Sequence, residues 1–253
     1  ARINFALGNM HAQLQDWDTA LELLTRATAS PVPASPVDAL RHIGVQSSAR
    51  MLLADTHLSI ADRDRASAAF NQHVQAATEI TQQLETVYGD TGPINLLKGK
   101  IAFIQGRWTE ATIVLSKATA QYRDANPEVI LLLAKACWKQ GDTGLAATWL
   151  ERLLSTYPQM LPARYELARI HVQERQYVEA YRQIEIITQE NPNDTAAQQL
   201  RAYLLGQLGR FDDALAIYEG MDPKRHPELL RAMAAVHLLA QRQDVARQLL
   251  DQY

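Results

Sequence analysis

Seven histidines, one cysteine and several acidic pairs are the side chains through which this chain could do chemistry. His11, His57, His171, His237 and Cys137 have the donor types that hold zinc or copper, but a metal needs its donors gathered at about 2.0–2.3 Å from one ion. Their spacing argues against such a gathering. Each stands three residues after a small residue (Gly8, Ala54, Ala168, Ala234 and Ala134 respectively) that recurs along the chain. Each is therefore expected to play the same packing part in its own module, about one module or more from the next. His42, His73 and His226 have no companion at ligand spacing.

Other catalytic signatures are missing. There is no HExxH and, with a single cysteine, no CxxC or internal disulfide framework. The segment from Gly92 to Gly99-Lys100 has the wrong spacing for a phosphate-cradling loop, and Lys100 falls inside a helical pattern. Gly106-Arg107 and Gly141-Asp142 read as connections inside modules. Asp212-Asp213 opens a helix, where the positive end of the helix dipole accounts for two carboxylates. No Ser/His/Asp set follows from the spacing. The sequence thus predicts no catalytic residue, no cofactor, no metal site and no enzyme.

The elements that carry these residues repeat. Seven pairs of small residues, each pair twelve apart, run the length of the chain: Gly8/Ala20, Ala54/Ala66, Gly99/Ala111, Ala134/Ala146, Ala168/Ala180, Ala202/Ala214 and Ala234/Ala246. Their first members are spaced 46, 45, 35, 34, 34 and 32 residues apart. A period that settles near 34 marks a stack of two-helix modules. Gly or Ala at the crossing lets paired helices approach to roughly 8–9 Å. Sixteen residues after each first small residue stands an apolar one: Leu24, Phe70, Leu115, Leu150, Ile184, Tyr218 and Leu250. Nine residues after it the turn delivers Trp17, Trp108, Tyr177 and Phe211, with Arg63, Thr143 and Gln243 in the weaker modules.

This pattern resembles the tetratricopeptide repeat family. The module around Ala168 carries it most fully: Leu167-Ala168, Gln176-Tyr177, Ala180, Ile184 and Asn191-Pro192. Leu133-Ala134, Gly141-Asp142, Ala146, Leu150 and Tyr157-Pro158 repeat it, as do Gly209-Arg210-Phe211, Ala214 and Tyr218. The resemblance implies an all-α fold, a right-handed α-solenoid of about seven helix-turn-helix units, with first helices lining a concave face. The family's lysine and asparagine clamp for a C-terminal carboxylate is not matched, because Phe5 stands where its lysine would be.

Residues 1–253 read as one solenoid, with irregular units over 1–93 and regular repeats over 94–253. Ser30 to Pro36 is a Pro-rich linker, and Tyr88 to Pro93 is a second break. Between them lie two long helical stretches, about 38–60 and 63–87. Pro93, Pro127, Pro162 and Pro227 sit near the openings of first helices, where a missing N–H costs least. The chain begins at Ala1 in a helical pattern, which suggests a processed chain or a fragment. A formal net charge of −3 offers no basic excess for nucleic acid. Its longest apolar runs, such as Val129 to Ala134, are far too short to span a bilayer. Cytoplasm and cell envelope both fit.

Function then falls to the face made by first helices. Positions three before, and one, four and five after, each small residue lie away from the helix-helix seam. In the middle modules they interleave cations and aromatics: Lys100 and Phe103; Lys135, Trp138 and Lys139; Tyr165 and Arg169; Gln199 and Tyr203. Aromatic and arginine side chains dominate binding energy at protein interfaces. The expected function is a protein-interaction scaffold that holds an acidic and apolar peptide or helix on these nine residues. Two alternatives stay open: a repeat portion of a larger enzyme or transport or secretion assembly protein, and a scaffold that self-assembles through uncapped ends near Leu249, Leu250 and Tyr253.

Overall fold

The computed structural model describes residues 1–33, 35–123, 125–222 and 226–252. Tyr253 and part of the Pro-rich linker (Ala34) lie outside them. The described residues form fourteen α-helices and no strand. They fall into two compact units, Ala1–Asp142 and Thr143–Tyr253, each described by itself.

The first unit holds α1 (Arg2–Gln13), α2 (Trp17–Ala29), α3 (Pro36–Arg63), α4 (Phe70–Tyr88), α5 (Gly92–Ile104), α6 (Trp108–Gln121) and α7 (Pro127–Gln140). Each helix packs on the next, and α1, α3, α5 and α7 also touch one another in turn, forming a layer. The second unit holds α8 (Thr143–Thr156), α9 (Leu161–Gln173), α10 (Tyr177–Glu190), α11 (Thr195–Gln207), α12 (Phe211–Gly220), α13 (Glu228–Leu239) and α14 (Gln243–Gln252). Again neighbours pack in sequence, and α11 also reaches α13.

Thirteen of the fourteen small residues are buried, from Gly8 to Ala246. The reason is close approach. A Cβ added to Gly8 would lie 2.9 Å from Leu24 Cγ, and one added to Gly99 would collide with Leu115. These are the apolar residues sixteen positions on, so the small residue is the socket into which that side chain fits. Leu24, Leu115, Leu150 and Ile184 are 0–1% exposed. Leu250 departs from the pattern at 47% exposed.

The hairpin turns share one backbone device. Gln15, Gly106, Gly141, Arg175, Gly209 and Gln241 all have left-handed φ, between 58° and 100°. The next residue's N–H reaches back five positions to a carbonyl, as in Asp16 to His11 (2.9 Å), Gln176 to His171 (2.8 Å) and Arg210 to Leu205 (2.9 Å). This helix-ending motif satisfies carbonyls that the last turn leaves open and reverses the chain in three residues. It sets where the second helix starts: Trp17, Trp108, Thr143, Tyr177, Phe211 and Gln243 each open one.

The second hairpin breaks the rule. Its first helix runs on to Arg63, so Ala66 lies exposed in a turn rather than at a crossing. α4 starts at Phe70, not near residue 63, after hydrogen-bonded turns from Asp64 to Ser67 and Ser67 to Phe70. Ala77, fully buried, takes the place expected of Ala66, and packs with Ala54, Leu58, Ala61 and Val74. Elsewhere helix starts follow local chemistry: Pro36, Pro93, Pro127 and Pro162 open α3, α5, α7 and α9, while Asn126 and Asp194 side chains cap α7 and α11.

Candidate partner-binding site

In the first unit the expected residues come together on α5 and α7, with α3 beside them. Lys100 Nζ lies 2.5 Å from Asp55 Oδ1 and also pairs with Glu128. Its side chain is 18% exposed. Burial pulls the ammonium toward lower pKa, yet the two carboxylates outweigh it and the pKa is raised. Lys100 is therefore already occupied as a cation. Beside this triad lies a recess of about 190 Å³, lined by Leu58, Phe103, Ile104, Leu131 and Leu132, with Asp62 and Lys135 also in its wall. A second recess, about 320 Å³, shares Asp55, Lys100 and Glu128 and is lined toward α1 by Phe5 and Asn9.

Phe103 is more buried than a free anchor would be, at 7%, because it packs edge-on to Trp108 with ring centroids 5.1 Å apart. Lys135 Nζ stands 5.8 Å from the Phe103 ring centre, and Lys139 Nζ stands 5.0 Å from that of Trp138. Both are cation-π distances. Lys139 is exposed and also borders the α5–α6 turn.

In the second unit Tyr165 and Arg169 lie on α9, and Gln199 and Tyr203 on α11. Arg169 is exposed, with Nη1 3.7 Å from Glu166. The Tyr165 hydroxyl is buried without a hydrogen-bond partner among the described residues. Burial first, then the nearby Asp194 carboxylate, raises its pKa. Tyr203 is 39% exposed, and its pKa is raised by burial and by Tyr177. Gln199 offers its backbone carbonyl to the Tyr218 hydroxyl at 3.4 Å, and burial, with Tyr203 beside it, pushes Tyr218 up to about 12.

Asp55 and Glu128, which fix Lys100, are the site residues that the sequence reading left out. A signal existed for Asp55: it stands one residue after its module's small residue, as Lys100 does, and equal positions on successive first helices are neighbours.

Of the four histidines in the frame, His11 and His171 share one role, while His57 and His237 depart from it. His11 Nδ1 bonds Asp16 at 2.9 Å and His171 Nδ1 bonds Gln176 at 2.7 Å, each tying its helix to the residue that precedes the next one. His237 Nδ1 is buried without a partner among the described residues, and burial, then Arg242, lowers its pKa. His73, expected to stand apart, instead meets His57, with the Nδ1 atoms 2.9 Å apart. The long antiparallel pair α3–α4 causes this, since the two residues lie eight positions either side of residue 65 in the turn. Among the described residues no group of three or more His, Cys, Asp or Glu is placed to hold a metal ion.

Helical hairpins stacked through one repeated socket and one repeated turn define an α-solenoid repeat protein. Tetratricopeptide repeat family models match residues 5–33, 96–160 and 138–204. The chain belongs to the tetratricopeptide repeat family. No curated protein sequence matches it. Among solved structures it is similar to PilW, a widely conserved type IV pilus biogenesis factor, at 21% identity and TM-score 0.67, covering 89% of this chain and 93% of that one. It is similar to PilF of Pseudomonas aeruginosa at 17% identity and TM-score 0.65, over 89% of this chain and 91% of that one. MamA (AMB-1) aligns at 25% identity and TM-score 0.53, over 61% of this chain and 92% of that one. At these identities PilW and PilF speak for the fold. No helix among the described residues is long and apolar enough to cross a membrane.

Proposed function

We propose that the chain is a protein-interaction scaffold that takes a segment of another protein on the face made by its first helices. One observation carries this reading: the recess between α3, α5 and α7, where apolar side chains form the floor and Lys135 stands at the wall. Its volume suits one apolar side chain of the partner. Lys100 contributes by holding α3, α5 and α7 in register rather than by meeting the partner. In the first unit an acidic component of the partner would engage Lys135 and Lys139, with Trp138 as an aromatic contact; in the second unit, taken by itself, Arg169 with Tyr165, Gln199 and Tyr203 offers the same kinds of contact. The repeat frame continues unbroken from Ala134 to Ala146, which supports reading the chain as one run of repeats.

Peptide display on the intact chain tests this. Segments with an apolar residue beside an acidic one should be enriched, and Leu131→Asp, which puts a charge into the recess, should abolish their capture. Trp138→Ala should weaken binding by about 2 kcal/mol. Enrichment that Leu131→Asp leaves unchanged, with the variant folded by circular dichroism, contradicts the proposal.

A second reading, self-assembly, is favoured by α1. Ile3, Leu7, Met10 and Leu14 are 40–76% exposed at spacings of four, three and four, a stripe that another helix could cover. Light scattering across concentration decides: a mass that grows with concentration and falls to the monomer in Leu7→Glu supports assembly, while a constant monomer excludes it.

A further inference from the structure

The His57–His73 pair lies outside the partner-binding face, and His73 has no place in the repeat frame. We propose that it is a binding site for one divalent imidazole-preferring metal ion, of the zinc, nickel or copper class. The two Nδ1 atoms come from different helices and stand 2.9 Å apart, with ring planes inclined at 43°. Two nitrogen ligands at about 2.0–2.1 Å from one ion, on neighbouring corners of its coordination shell, stand about 2.9–3.4 Å apart. The pair already has that spacing to within about half an ångström. With both rings neutral, one Nδ1 donates its proton to the other; an ion bound to both nitrogens sits to one side of the line between them, so both rings turn toward it and the donor ring carries its proton on Nε2 instead.

The surroundings favour neutral ligands over charged ones. Both rings are partly buried in the α3–α4 seam. Asp64, the nearby carboxylate, is held by Arg63 in a two-point pair with its shorter contact at 2.7 Å. The protein supplies two corners and water fills the others, which predicts an affinity order set by the ion itself, copper above nickel and zinc. Binding would pin the two longest described helices to each other, six residues before the end of α3 and three after the start of α4.

The test is calorimetry on the whole chain, stripped with a chelator and titrated separately with Zn²⁺, Ni²⁺ and Cu²⁺. The expected result is one saturable ion per chain, weakened at least tenfold by His57→Ala and by His73→Ala, with the double variant no worse than either single one. A bound ion at 100 times its dissociation constant should raise Tm by roughly 5–10 °C. Should an alanine variant fail to fold, His73→Gln and the copper paramagnetic resonance spectrum of the unaltered chain replace it: two equivalent nitrogens lost in His73→Gln support the site. The same binding in His73→Gln, or no saturable one-to-one binding by the unaltered chain, overturns it.

Discussion

Two hairpins of this chain are built from the same parts and use them differently. In α9–α10 the first helix stops at Gln173, Arg175 turns left-handed, and Ala168, Ala180 and Ile184 close a fully buried seam. In α3–α4 the first helix continues to Arg63, no residue of the turn is left-handed, Ala66 is exposed and Ala77 fills the seam. The histidine follows suit: His171 bonds the residue before the next helix, whereas His57 crosses to His73. The turn, more than the small residues, decides which side chains meet. Lengthening one helix before the turn moves every partner by whole helical turns while the seam keeps its chemistry.

The largest expected contrast lies in the seams. Ile184→Ala should cost about 3–4 kcal/mol, since Ile184 is fully buried and its socket cannot collapse. Phe70, at the equivalent sequence position but only partly buried at the edge of its cluster, should lose about half as much on Phe70→Ala, read as a shift in denaturant midpoint. Equal losses would mean that the long hairpin packs like the regular one.

Lys100 sharpens the comparison next, because it ties the long helix α3 to α5 and α7. Lys100→Met leaves Asp55 and Glu128 facing each other and should cost about 1–2 kcal/mol, less than a fully buried pair because both carboxylates keep partial contact with water. That loss should shrink in Lys100→Met with Asp55→Asn. The smallest effect is at the turns. Arg175→Gly relieves a left-handed arginine and should stabilise by about 0.5–1 kcal/mol, while Asp64→Gly, where φ is −111°, should not stabilise at all. Thermal unfolding of the two variants reads this sign difference.

Much of this was legible in the sequence. The positions of Gly8, Gly99 and Leu115 announced the socket because packing two helices closely has few chemical solutions. Trp17, Tyr177 and Phe211 marked helix starts because the turn before them has fixed length. The second hairpin was misread at Ala66 because an alanine at the right spacing looks the same whether or not the helix has ended, and the Asp64–Ala69 turn lacks the glycine that would announce a left-handed end. The candidate site was only half visible. Lys100, Phe103 and Lys135 could be placed on one face by periodicity, but whether a lysine faces solvent or two carboxylates depends on residues 28 and 45 positions away. The His57–His73 contact was hidden for the same reason.

The central claim is that the second small residue of a pair lies in the seam wherever a left-handed turn precedes it and leaves the seam where that turn is missing. Ala180→Leu and Ala66→Leu, compared by equilibrium denaturation under one set of conditions, test it most directly. The account predicts a loss of about 1–3 kcal/mol for Ala180→Leu by overpacking and a change within about 0.5 kcal/mol for Ala66→Leu. Equal destabilisation by both, or a neutral Ala180→Leu, would contradict it.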